Sequence, residues 1–83
     1  MKFVFSKHAL NRIKDRRITK KKVSVIINDP DTILKESDCK HIYQKVMKEE
    51  NKKYLFRVFI NICEQPDLII TAYKTSKIDK YEH

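Results

Sequence analysis

Between Tyr54 and Ile62 apolar and polar side chains alternate with period two. Phe56, Val58, Ile60 and Ile62 fall on one face of a strand, and Leu55, Arg57, Phe59 and Asn61 on the other. The stretch that starts at Leu68 repeats the pattern: Leu68, Ile70 and Ala72 share an apolar face, while Ile69, Thr71, Tyr73 and Thr75 share a mixed one. If these strands pair as an antiparallel hairpin, their apolar faces must coincide to bury a common core. Arg57 then falls on the same face as Thr71 and Tyr73.

The earlier chain follows a helical period. Ser6 is an N-cap for a helix from Lys7 to about Arg16, with Ala9, Leu10 and Ile13 as its apolar stripe. His8, Arg12 and Arg16 recur every fourth residue on another flank, and Asp15 can pair with Arg12. Thr19 caps a second helix, Lys20 to Asn28, whose apolar stripe is Val23, Ile26 and Ile27. The run Lys20-Lys21-Lys22 opens it, where the helix dipole disfavours cations; such a run is either a binding feature or a solvated face.

Asn28-Asp29-Pro30-Asp31 ends that helix in a turn. Thr32 to Glu36 and His41 to Lys48 read as further strands, and Lys2 to Phe5 as a short strand or extended lead-in. The chain has no glycine, which disfavours tight type I′ hairpins and predicts longer polar loops. The expected architecture is a single α+β domain over residues 1–83: two N-terminal helices packed on a small antiparallel sheet of about four strands.

Composition adds a partner class. Nineteen Lys and Arg against eleven Asp and Glu give a net charge of +8, a field that concentrates polyanions. Lysine-rich composition also accompanies hot growth conditions, and an acidic protein would answer the same field. Cys39 and Cys63 fit no metal-ligand spacing and are expected as free thiols, Cys63 as a small buried hydrophobe. There are no glycine-rich phosphate loops and no paired Cys/His ligands, so no metal and no cofactor is expected. No signal-type segment and no run of about 18 apolar residues occurs, which predicts a soluble, cytoplasmic protein without a membrane partner.

Two blocks carry a family resemblance: Phe5 to Arg16 (FSKHALNRIKDR), and Ile70 to Lys77 (ITAYKTSK) continuing to Lys80-Tyr81, with Asn28-Asp29-Pro30-Asp31 between them. With these blocks the chain resembles a family of small prokaryotic proteins that look like RelE- and BrnT-type toxins of toxin–antitoxin modules. The resemblance implies a RelE-like fold and a metal-independent endoribonuclease acting on RNA. It also implies a small acidic or DNA-binding antitoxin protein as partner. One departure is Arg17, where many relatives have glycine at a position suited to a left-handed helix cap.

A metal-independent ribonuclease must deprotonate a 2′-hydroxyl, stabilise charge on the phosphorane oxygens and protonate the leaving oxygen. For that chemistry the catalytic candidates are His8, Tyr73 and Lys77 from the two blocks, and Arg57, which alternation puts on the face of Tyr73. His8 would move protons, Arg57 and Lys77 would hold phosphate, and Tyr73 would stack on a base or donate a proton. Arg12, Arg16, Thr71, Thr75, Ser76, Lys80 and Tyr81 complete the expected RNA-binding set. Two other readings use the same residues: a non-catalytic nucleic-acid-binding module, and a protein-docking module presenting its mixed sheet face.

Overall fold

The structure, a computed structural model, describes residues 2–81, the side chain of Tyr81 excepted. Eight elements follow in order: β1 (Phe3–Phe5), α1 (Lys7–Asp15), α2 (Lys20–Asn28), β2 (Thr32–Lys35), β3 (Lys40–Glu49), β4 (Lys52–Asn61), β5 (Asp67–Thr75) and α3 (Ile78–Tyr81). The α+β class and the two N-terminal helices match the pattern in the sequence. The sheet, however, has five strands in the order β1-β5-β4-β3-β2. It is mixed, because the lead-in Phe3–Phe5 pairs in parallel with Asp67, Leu68 and Ile69 of β5.

Both helix caps form as their sequences predict: Ser6 Oγ accepts from Ala9 N at 3.0 Å, and Thr19 Oγ1 from Lys22 N at 3.1 Å. Ser6 also donates its backbone N–H to Ile69 O at 3.0 Å, so α1 starts from a fixed point on the β5 edge. Helix α1 buries Ala9 and Ile13, one turn apart, whereas Leu10 stays on its exposed flank. Ile18, Val23, Ile26 and Ile27 join them over Phe56, Val58, Ile60, Ile69 and Ala72 in one core. Each of the valine, isoleucine and phenylalanine side chains among them contributes about 1.5–3 kcal/mol when fully buried. All of this material lies on one side of the sheet. The opposite face carries no helix of the N-terminal pair.

One expected face is wrong in its first half. Phe59 pairs with Thr71 but Ile60 pairs with Ile69, leaving Ile70 as an extra residue in β5. This bulge inverts the alternation on its N-terminal side, so Ile69 is fully buried in the core and Leu68 stands opposite Asn61. Beyond the bulge Ala72 is buried and Thr71, Tyr73 and Thr75 face outward, as the alternation predicts.

Two other expectations change. Cys39 and Cys63 are not free thiols: they form a disulfide. The β3–β4 ladder pairs Lys40 with Asn61 and continues with Ile62 N donating to Cys39 O at 2.8 Å, which brings cysteines 24 positions apart in sequence to a Cα separation of 5.1 Å. Cys63 is accordingly exposed at the sheet end, not buried. The β3–β4 connection is also tighter than expected. Glu49 pairs with Lys52, so Glu50 and Asn51 alone make the turn, with φ of 51° and 66°. Positive φ at both central positions is the type I′ pattern, built here without glycine. Arg17, after α1, is a third left-handed residue with φ 57°.

Ion pairs fasten the helix side of the sheet. Lys22 from α2 and Lys74 from β5 both donate to the Glu49 carboxylate, so part of the lysine run is structural. These two bonds, Lys22 first, hold the Glu49 carboxyl below its ordinary range despite opposing desolvation. The same ammonium groups lie over the Phe56 ring, at 5.3 Å for Lys22 and 6.0 Å for Lys74. Lys45 bridges Asp29 and Asp31, tying the turn after α2 to β3.

Candidate nucleic-acid interface

The ladder registers build the outward face row by row. Gln44 of β3, Arg57 of β4 and Tyr73 of β5 occupy one row, and Ile42, Phe59 and Thr71 the next. Period-two alternation, preserved in β3 and β4 and in β5 beyond its bulge, therefore delivers one arginine, one phenol and one amide to a common line.

Within that line the side chains bond to one another. Arg57 Nη1 donates to Tyr73 Oη, and Arg57 Nε donates to Gln44 Oε1 at 2.6 Å. The Tyr73 ring stacks on Phe59 with centroids 6.0 Å apart. The Arg57 guanidinium lies 5.6 Å from the Tyr73 ring centre and 5.4 Å from that of Phe59. Ile42 and Leu55 on the same face are buried and give the cluster an apolar floor.

A second arginine reaches the cluster from α1. Arg16, the C-cap of that helix, donates from Nη1 to Ala72 O at 2.8 Å and to Thr71 Oγ1 at 3.4 Å, and its guanidinium lies 5.9 Å from the Tyr73 ring centre. Two cations thus flank one phenol. The helix supplies its arginine because the Ser6 anchor and the packing of Ala9 and Ile13 run α1 beside β5.

The other expected residues lie elsewhere. His8 and Arg12 are both exposed, and Arg12 Nε donates to His8 Nε2 at 3.3 Å on the α1 flank. His8 precedes Arg16 by two turns, about 12 Å along the helix axis. Thr75 continues the face and accepts a bond from Lys77 N at 3.1 Å. Ser76 and Lys77 are exposed in the joint before α3, which carries Lys80. Tyr81 closes that helix, and its side chain lies outside the described residues. The structure therefore assembles Arg16, Arg57, Thr71 and Tyr73 and does not bring His8 or Lys77 into contact with them.

Gln44 is the residue that sequence reasoning passed over. Its signal was a polar side chain at a position where Ile42 and Val46, two residues away on either side, are apolar. Among the described residues no group of three or more His, Cys, Asp or Glu could hold a metal ion, and no helix is long and apolar enough to cross a membrane.

The molecule is thus a small α+β domain with its two N-terminal helices on one side of a mixed sheet and a basic, aromatic cluster on the other. The chain belongs to the family described as a domain of unknown function (DUF4258), whose model matches residues 5–74. That span includes both arginines, Gln44 and Tyr73. No curated protein and no solved structure matches the chain.

Proposed function

We propose that the protein binds single-stranded RNA on the outward sheet face and cleaves it without a metal, as the toxin component of a toxin–antitoxin module. The observation that carries this reading is the Arg57–Tyr73 pair with Arg16 beside it. Two guanidinium groups suit the two non-bridging oxygens of a phosphodiester, which share one negative charge, and the charge that grows on them in the phosphorane. Because Arg57 donates to the phenol oxygen, the Tyr73 O–H proton remains available for a phosphate oxygen or the leaving 5′-oxygen. The Phe59–Tyr73 stack offers an aromatic surface to a neighbouring base.

The resemblance to RelE- and BrnT-type toxins supports the same reading, as does the net charge of +8. It brings with it a small acidic or DNA-binding antitoxin protein as partner, which would compete with RNA for this face. His8 and Arg12 extend the basic track along α1, and Lys77 and Lys80 extend it past β5.

The test is incubation of pure, antitoxin-free protein with end-labelled single-stranded RNA in the presence of a chelator. Cleavage products ending in 2′,3′-cyclic phosphate, lost in Tyr73→Phe and Arg57→Ala, are expected. RNA left as intact as with those variants would end the cleavage reading.

The second reading, a nucleic-acid-binding module without catalysis, is favoured by the distance between His8 and the cluster. It predicts the same salt-sensitive binding with no products.

A further inference from the structure

Among the described residues, the one buried polar side chain is Gln44, 5% exposed. A buried amide is costly unless each polar end is satisfied. Its Oε1 accepts from Arg57 Nε at 2.6 Å, whereas its Nε2 makes no hydrogen bond to any described residue and is not closed off from solvent. Half of the amide is therefore spent on Arg57, and the NH2 half is left for another acceptor.

A glutamine is a specific choice at that position. Ile42 and Val46 fill the equivalent positions on either side in β3, and an apolar residue would fit the same alternation. A leucine would leave Arg57 Nε without the Gln44 acceptor, and the guanidinium would lose one of the bonds that set its plane. With Gln44 present, Nε and Nη1 are bonded on two sides, so rotation about the end of the arginine side chain is blocked.

We infer that Gln44 is a positioning residue for Arg57 and a direct hydrogen-bond donor, through its Nε2, to a phosphodiester oxygen of RNA bound on this face. The inference rests on the RNA-binding reading above. Glutamine serves both tasks at once, since its carbonyl oxygen accepts from the arginine while its NH2 donates in the opposite sense. Glutamate keeps the first task and reverses the second. Leucine removes both.

The experiment measures affinity for a short single-stranded RNA alongside the arginine side-chain NMR signals, in wild-type protein, Gln44→Glu, Gln44→Leu and Arg57→Ala. The wild-type protein is expected to show a slowly exchanging Arg57 Nε–H. Gln44→Glu is expected to keep that signal and still lose about tenfold or more in RNA affinity. Gln44→Leu should lose both the signal and the affinity. If Gln44→Leu does not fold, the neutral and similarly long Gln44→Met takes its place, since it removes the NH2 donor without adding a charge.

Unchanged RNA affinity in Gln44→Glu, or in a Gln44→Leu variant that folds, while Arg57→Ala weakens it, overturns the inference. Wild-type affinity in Arg57→Ala would instead remove the RNA site itself, a separate failure. Exchange of Arg57 Nε–H as fast in the wild-type protein as in Gln44→Leu would overturn the positioning role.

Discussion

Arg57 and Tyr73 face each other across the β4–β5 ladder, and the guanidinium donates to the phenol oxygen. A cation and a proton donor are thereby held in register by backbone pairing, not by a loop. On the RNA reading, each single variant, Arg57→Ala and Tyr73→Phe, should weaken RNA binding by about 1–3 kcal/mol, and the double variant by less than the sum. Titration at several salt concentrations provides the check, and the Arg57→Ala slope should be shallower by roughly one phosphate contact. Strict additivity would mean that the two side chains act separately.

Glu49 makes stability depend on pH. Its bonds from Lys22 and Lys74 lower its folded-state pKa below the ordinary value of 4.5. A lowered carboxyl stabilises the fold above the unfolded-state pKa, and the contribution fades as pH falls through the folded value. Glu49→Gln should therefore be less stable at neutral pH, by about 1 kcal/mol for so partly exposed a triad. Urea melts at neutral pH and near pH 2 check this: the gap should close in acid, and an equal gap at both would refute the linkage.

The disulfide joins positions 24 apart in sequence, and closing a loop of that length restricts the unfolded chain. Its removal in a Cys39→Ala/Cys63→Ala variant should cost about 2–4 kcal/mol, the range expected for a loop of this length. Thermal melts with and without reductant should reproduce the difference in the parent protein and show none in the variant.

The left-handed residues offer stabilising substitutions. Arg17 and Glu50 hold φ of 57° and 51°, a region that costs a residue with a Cβ about 1–2 kcal/mol. Arg17→Gly and Glu50→Asn should each recover about 0.5–1 kcal/mol. In a domain of this size that is a rise of about 2–8 °C in Tm. A lower Tm for both would mean that side-chain contacts at these positions outweigh backbone strain.

Local signals made much of the fold legible. Ser6 and Thr19 announced two helix starts through their hydroxyls, and alternation in Tyr54 to Ile62 gave both faces of β4 correctly. The common face of Arg57, Thr71 and Tyr73 followed from that alternation because the relevant half of β5 is regular. What failed was non-local or depended on a count of residues. The extra residue Ile70 cannot be seen until a partner strand fixes the register, so alternation alone assigns Leu68 to the core in place of Ile69. The disulfide was missed for the same reason, since only the ladder brings Cys39 to Cys63. The type I′ turn escaped because absent glycine was given more weight than the stability of a long ladder. Gln44 went unnoticed because a lone polar residue in a strand ordinarily faces water.

The β3–β4 pair is closed at one end by Glu50 and Asn51 and at the other by the Cys39–Cys63 bond, with Gln44 opposite Arg57 midway along. A one-residue slip in such a pair would exchange the two faces of a strand, sending Arg57 and Phe59 beneath the helices and Phe56 out of the core. Fastening both ends forbids the slide. The spacing between amide and guanidinium is thus set within these two strands and does not depend on how tightly α1 and α2 pack beneath them.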